Sequence, residues 1–345
     1  MGFKRLEADD FVVSAQSQTA TCWTNNQPTL TTFFTQSNQV NGASGEYYVT
    51  VFNQNPTGSN AAAQFEIAYA NESGGGTLAY NQTAAPNVSP SKTIYGQYRT
   101  LVLEYENSGF VFGGVSGSSI YVLSIERASY KESLFPGSFN LILSSSLSNG
   151  SAVELRLTDD SGMVNVPTYY GTMRAYQVIS GSNGLSYNSA SGGNGYTTPS
   201  GSYGLFLPDI GTILLNGDAL DLNDAEGLNL GTTTSGNSNG GNPLKLLQRI
   251  QSGSSFGLNS EETITSDYVF VRARNSEFNY SENPSYISGS TGEVIYDYFI
   301  NNPQTYITTI GMYNDSNELL ATAKLSKPLN KDFTKEALVR VKLDF

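Results

Sequence analysis

The residues that most often carry catalysis or bind transition metals are scarce in this chain. Its 345 residues include no histidine, and Cys22 is the single cysteine. Ser-His-Asp and Cys-His catalysis therefore lack their base, and zinc sites made of histidine or several cysteines lack their ligands. One cysteine also excludes a disulfide within the chain. The sequence has neither a Walker-type phosphate loop nor a glycine-rich dinucleotide fingerprint after a strand.

Paired carboxylates are the remaining acid–base arrangement that the composition allows. Asp159 and Asp160 are adjacent in sequence, as are Glu261 and Glu262. Adjacent residues of a strand point to opposite faces, so these pairs do not flank one bond as the two carboxylates of a glycosidase do. We therefore expect no enzymatic activity and no catalytic residues. A polysaccharide depolymerase is the least favoured alternative.

The segment 218–227 concentrates oxygen-bearing side chains of the kind that calcium binds. Its acids do not fall at alternate positions before the glycine, as the calcium-loop pattern requires. A solvated acidic turn is the better interpretation, and we predict no metal and no cofactor.

The composition favours short strands and turns over long helices. Charged residues make up 14% of the chain, against a usual share of about 25%, and glycine, serine, asparagine, threonine and tyrosine take their place. Apolar and polar residues alternate over 268–274 and again over 337–345, which predicts half-buried strands. The runs 306–313 and 318–324 flank the turn residues 314–317 and predict a hairpin.

Helical patterns are few. Residues 243–250 predict one helix, with Asn242 as its cap and Pro243 at its first position. The stretch 91–105 is ambiguous between strand and helix, because its apolar residues at 94, 98, 101 and 102 have helical spacing. We predict a mainly β protein with multi-stranded antiparallel, sandwich-like domains, long Gly/Ser/Asn loops and at most one or two short helices.

Three regions are predicted along the chain. They are an N-terminal β domain over 1–143, a loop-rich middle region or insertion over 144–258, and a C-terminal β domain over 259–345. The last region has the clearest strand patterns. Long loops are expected at 180–202 and 231–241, and such loops often contact partners.

The net charge of −12 argues against a general nucleic-acid binder. No signal peptide and no membrane span are predicted. The charge is uneven, because six basic residues lie between Lys324 and Lys342. Loop tyrosines and these lysines are the candidate partner contacts, since tyrosine combines an apolar ring with a polar hydroxyl. The candidates are Tyr187, Tyr196, Tyr203, Lys324, Lys327 and Lys331.

The C-terminal hairpin also carries a resemblance to a known family. The run Ile310-Gly311-Met312-Tyr313-Asn314-Asp315, followed by 318–324, Lys327-Pro328 and a closing strand, is similar to the hairpin of tail-fibre and baseplate proteins of tailed bacteriophages. More broadly, the chain resembles virion structural proteins of the contractile-tailed phages of marine cyanobacteria. The segments that carry this broader likeness are 93–99, 124–127 with Lys131, 201–209 and 261–280.

The resemblance implies a structural component of the virion, in the tail or baseplate, that is assembled in the host cytoplasm. It implies contacts with further copies of itself and with neighbouring tail or baseplate subunits, and no catalytic residues. In fibre proteins the hairpin module usually lies near the N-terminus and a fibre follows, whereas here it comes last. A wedge, hub or connector piece is therefore expected rather than a fibre shaft. The alternative is an adhesin module on the same particle that binds a host receptor or surface glycan through loop tyrosines such as Tyr196 and Tyr203.

Overall fold

The fold is mainly β, as the sequence predicts. A computed structural model describes residues 3–36, 47–76, 90–103, 108–187, 197–233, 241–281 and 283–344. Strands make up 44% of the structure and helices 15%. All strand pairs with an assigned register in the described residues are antiparallel.

The strands have the following bounds in chain order. They are β1 (Phe11–Thr21), β2 (Thr29–Leu30), β3 (Tyr48–Phe52), β4 (Ala63–Asn71), β5 (Val111–Phe112), β6 (Val115–Ser116), β7 (Ser119–Ile125), β8 (Ser133–Leu134), β9 (Asn140–Ser146), β10 (Ala152–Asp159), β11 (Thr168–Tyr170), β12 (Met173–Ser182), β13 (Leu185–Ser186), β14 (Gly204–Leu207), β15 (Thr212–Asn216), β16 (Ser255–Gly257), β17 (Asn259–Ala273), β18 (Thr305–Tyr313), β19 (Leu319–Lys331) and β20 (Ala337–Asp344).

Four α-helices lie in the described residues, which is more than the one or two predicted. They are α1 (Pro90–Leu103), α2 (Gly217–Leu220), α3 (Asn242–Gly253) and α4 (Asp297–Asn301). The ambiguous stretch 91–105 thus contributes most of α1. The predicted helix is α3, but its cap is Gly241 rather than Asn242. The Asn242 side chain instead accepts a hydrogen bond from the Thr233 amide (2.9 Å) and donates one to the Thr233 carbonyl (3.0 Å).

The chain divides into two compact units, and the division differs from the three regions predicted. A central unit comprises Gln18–Glu262, and a terminal unit comprises Met1–Ser17 with Thr263–Phe345. The predicted boundary at 143 lies inside β9, which pairs with β10 from Asn140 to Ser146. Residues on both sides of that position therefore share one sheet, because hydrogen bonds across the hairpin join them.

The central unit is built on one long antiparallel sheet. Ten strands follow the order β2-β16-β9-β10-β12-β14-β15-β7-β4-β3, with β11 and β13 beside β12, and the path curls into a half-barrel. Its middle strands are buried on both faces. In β7, Tyr121, Leu123 and Ile125 contribute to one hydrophobic cluster, whereas Ile120 and Val122 contribute to the other. This explains the near-continuous apolar runs of these strands.

One helix belongs to each face of this sheet. The first cluster includes Leu244, Leu246, Leu247 and Ile250 of α3, and the second includes Tyr95 and Val102 of α1. Aromatic rings fill the first cluster, where Phe256 packs against Trp23 at 4.9 Å and Phe65 at 5.3 Å between ring centroids. The central unit therefore completes its core with its own residues.

The terminal unit contains the strands whose patterns are clearest in the sequence. From Ser266 to Ala273, β17 pairs with β20, and Val269 stands opposite Val341 on a shared apolar face. The hairpin prediction is confirmed by β18 and β19, with the turn at 314–318. The sharp turn places Asn317 at a φ of +63°, a conformation that asparagine tolerates better than most residues.

Candidate assembly surface

The hairpin formed by β18 and β19 exposes large apolar side chains. Tyr306 is 60% exposed and Tyr313 46% on β18, while Leu319 and Leu320 are 56% and 68% exposed on β19. An isolated two-stranded hairpin is marginally stable in water, and three or more strands or a covering helix are normally needed. Several large exposed apolar side chains on one hairpin make it a candidate surface for contact with another molecule.

One face of the hairpin is formed by apolar side chains. Ile310 opposite Ala323 and Met312 opposite Ala321 form an apolar face that is only half-buried. Elsewhere on the hairpin the ring of Phe3 meets Tyr313 edge-on at 5.3 Å, although Phe3 is itself largely exposed. Among the residues that the structure describes, neither face is covered as the faces of the central sheet are.

The outer edge of β19 is open in the part of the chain that the structure describes. β18 and β19 form a two-stranded sheet, so β19 has a strand partner on one side only. Lys324 and Lys327 are exposed on this strand, and neither has a hydrogen-bond or ion-pair partner among the described residues. Pro328, which has no backbone N–H, fits an edge position. An open edge is a template for pairing with another strand.

Lys331 closes the base of the hairpin and is not a surface contact. Its side chain is fully buried, and its ammonium donates hydrogen bonds to the Asn275 carbonyl (2.9 Å), Asn279 Oδ1 (2.9 Å) and the Asp332 carbonyl (3.0 Å). The prediction that Lys331 contacts a partner is therefore wrong, because all three of its donors are satisfied inside the terminal unit.

A second exposed patch in the terminal unit is aromatic. Tyr286 packs against Tyr296 (5.9 Å) and Phe299 (5.3 Å), and Tyr296 packs against Tyr298 (5.4 Å). Phe299 of α4 is buried, whereas Tyr296 and Tyr298 are exposed together with Ile295 and Ile300. Sequence reasoning missed this patch, although the tyrosine spacing at 296 and 298 was a visible signal.

The three predicted tyrosine contacts have different outcomes. Tyr203 is buried, its hydroxyl donates to the Glu226 carbonyl (2.7 Å), and burial raises its pKa. Tyr203 is therefore a core residue and the prediction for it is wrong. Tyr187 is exposed and follows β13. Tyr196 lies outside the described residues, as do 188–195 and 234–240 of the two predicted loops.

The acidic segment 218–227 forms hydrogen bonds with other residues of the central unit. Asp218 accepts hydrogen bonds from the Ser118 amide (3.1 Å) and the Ser119 hydroxyl (3.1 Å). Asp221 accepts from the amide (2.9 Å) and hydroxyl (2.8 Å) of Thr232, and burial raises its pKa. Within the described residues no group of three or more potential metal-binding side chains is present.

The carboxylates of 159 and 160 serve the fold of the central unit. Asp159 is buried and accepts hydrogen bonds from the amides of Gly137 (2.9 Å) and Ser161 (3.0 Å). Asp160 accepts one from the Gln177 amide (3.0 Å), and burial raises its pKa to about 6. Glu261 lies 3.7 Å from Arg174, which also binds Asp209 at 2.7 Å. Through these hydrogen bonds and ion pairs the carboxylates stabilise the fold of the central unit.

Comparisons with protein-family models, with curated proteins and with solved structures each returned no match. None of the helices in the described ranges has the length and hydrophobicity needed to span a membrane.

Proposed function

We propose that this chain is a structural component of a tailed bacteriophage particle, in the tail or baseplate, and that it works through contacts with other particle proteins and with copies of itself. The observation that carries the proposal is the terminal unit, whose strands keep large apolar side chains exposed at Tyr306, Leu319 and Leu320. Assembly on a neighbouring subunit would cover that surface.

The sequence likeness to the hairpin of phage tail-fibre and baseplate proteins falls on the same region. The resembling hairpin, 310–324, is the element with the open edge and the exposed side chains. An assembly protein needs such a surface, whereas an enzyme needs a site with converging polar groups. The carboxylates at 159, 160 and 261 are held by internal hydrogen bonds or an ion pair.

The proposal is tested on washed phage particles from cells infected with a phage that encodes this chain. Mass spectrometry should detect the chain at a fixed ratio to known tail proteins, and antibody-gold microscopy should label the tail or baseplate. Presence in the lysate but absence from the particles would refute the virion role. Label on the capsid or neck would refute the tail or baseplate position.

A glycan-binding adhesin is the second candidate, because Tyr296 and Tyr298 offer two exposed, adjacent rings. Aromatic rings with hydroxyl groups suit the apolar and polar faces of a sugar. On this alternative, Tyr298→Ala abolishes binding to host envelope polysaccharide while folding is kept, and Tyr306→Ala on the hairpin leaves binding unchanged. Absence of binding across host polysaccharides removes this candidate.

A further inference from the structure

The outer edge of β19 carries charges in a self-complementary order. Glu318, directly before the strand, lies three residues before Ala321, and Lys324 lies three residues after it. Glu318 is at the tip of the hairpin, where Asn314 Nδ2 donates a hydrogen bond to one of its carboxylate oxygens (2.7 Å), and Lys324 is further along the strand. β18 has no charged residue between Thr305 and Tyr313, so this pattern belongs to β19.

We infer that two copies of the chain pair antiparallel along β19, about a two-fold axis at Ala321. In this register each residue stands opposite the one equally far on the other side of Ala321. Glu318 then faces Lys324 of the second copy, and the paired segment is 318–324. A two-fold axis repeats each contact, so one surface serves both partners.

The side chains of β19 fit this register. Ala321 meets its own copy at the axis, where a small residue lets the strands approach. Leu319 meets Ala323, and Leu320 meets Thr322, so the two most exposed leucines of the hairpin gain cover. The two hairpins join into a four-stranded sheet, which meets the usual requirement for a stable sheet. Pro328 lies beyond the paired segment, where its missing N–H costs no hydrogen bond.

Lys324 shows why a second copy is the partner. It is exposed and has no hydrogen-bond or ion-pair partner among the described residues, and the pairing supplies the Glu318 carboxylate of the second copy. Opposite charges directly across antiparallel strands stabilise a sheet, and like charges destabilise it. Edge lysines can also serve only to keep other strands away, and the charge-reversal experiment separates the two roles.

This inference rests on the proposed assembly function for its biological meaning, but its test uses purified protein alone. Failure to dimerise refutes the β19 pairing and leaves the particle role standing. Absence from particles refutes the particle role and leaves the dimer standing.

The experiment measures self-association of the full chain by sedimentation equilibrium at low ionic strength. The unsubstituted chain should dimerise, and Lys324→Glu and Glu318→Lys should each weaken the dimer by about tenfold, because each substitution places like charges opposite each other at two symmetric positions. Thr308→Glu adds the same charge on β18, away from the outer edge of β19, and should leave the dimer unchanged.

The decisive arm mixes the two charge variants. In the mixed dimer, both positions on one strand are acidic and both on the other are basic, so every facing pair is again of opposite charge. Association of the mixture should therefore exceed that of either variant alone by about tenfold. A monomer at every concentration, or a dimer whose strength ignores these substitutions, would overturn the inference. A mixture no stronger than its components would overturn it as well.

Discussion

The central and terminal units use similar strands in opposite ways. In the central unit β7, β14 and β15 are buried on both faces, and Leu214 is fully buried. In the terminal unit the side chains of β18, and those of β19 before Lys331, are all exposed or half-buried. The central sheet thus obtains its stability from the chain's own helices, α1 and α3. The terminal hairpin lacks a comparable cover in the described residues, so its stability should depend on assembly.

The largest expected difference comes from the same substitution made in both units. Leu214→Ala should lower the free energy of unfolding by about 2–5 kcal/mol, because it removes fully buried methyl groups and leaves a cavity. Leu320→Ala, at a site that is 68% exposed, should change it by no more than about 0.5 kcal/mol in dilute monomer. Urea denaturation followed by far-ultraviolet circular dichroism detects the strands of both units.

Equal losses of unfolding free energy in Leu214→Ala and Leu320→Ala would contradict this contrast between the two units. That result would mean that Leu320 is buried in the isolated chain and that the hairpin already has its cover.

The next largest expected difference is between substitutions of two lysines of β19, one buried and one exposed. Lys331→Met should destabilise the hairpin by about 2–3 kcal/mol, because it deletes three charge-assisted hydrogen bonds and leaves the Asn275 carbonyl with one donor fewer. Lys327→Met, four residues earlier and exposed, should cost no more than about 0.5 kcal/mol. Hydrogen exchange of the β18 amides reports the stability of this element directly.

Unchanged exchange in the Lys331 variant would show that the buried ammonium is dispensable, and the base of the hairpin would then need another explanation. Faster exchange in the Lys327 variant would show that this side chain is already engaged in the monomer.

The two units also differ in how one carboxylate in each makes stability depend on pH. Burial raises the pKa of Asp160 in the central unit to about 6. The folded state then binds a proton between pH 4 and 6 that the unfolded state has released, so this group lowers stability as the pH rises through that window. Asp160→Asn keeps an oxygen for the Gln177 amide and should raise stability above pH 6 by about 1 kcal/mol. Denaturation curves at pH 4 and pH 7 check this, with an advantage expected at pH 7 only.

Asp332 in the terminal unit behaves in the opposite direction and gives the smallest effect. Hydrogen bonds from Thr334 lower its pKa to about 2. Its contribution to stability is therefore present above pH 4 and is lost as the pH falls towards 2. Asp332→Asn should flatten the loss of the terminal unit's hydrogen-exchange protection over that range. A variant with the same acid dependence as the unsubstituted chain would show that other carboxylates are responsible.

Sequence reasoning succeeded where local alternation decides the structure. The β20 strand and the 268–273 part of β17 follow from period-two patterns. The hairpin of β18 and β19 follows from two strand-like runs on either side of the turn at Asn314 and its neighbours. The helix α1 stayed ambiguous, because spacing alone does not separate a short buried helix from a strand.

The candidate contact residues were harder to predict from the sequence, because the exposure of a side chain depends on residues distant in sequence. Tyr203 lies in a glycine- and serine-rich segment, yet its hydroxyl reaches Glu226. Lys331 lies among exposed lysines, yet two of its three hydrogen-bond partners are 52 and 56 positions away. Nothing in the local pattern around either residue predicts burial. The exposure of Leu319 and Leu320 was equally difficult to predict, since strands with alternating side chains normally bury one face.

The most direct measurement of the central claim is hydrogen–deuterium exchange of the full chain at low and high protein concentration. Assembly along β19 predicts that the amides of 319–325 become protected as the concentration rises, while those of β7, already covered on both sides, stay unchanged. Protection of 319–325 that does not depend on concentration would contradict the claim that the terminal unit is completed by a second copy.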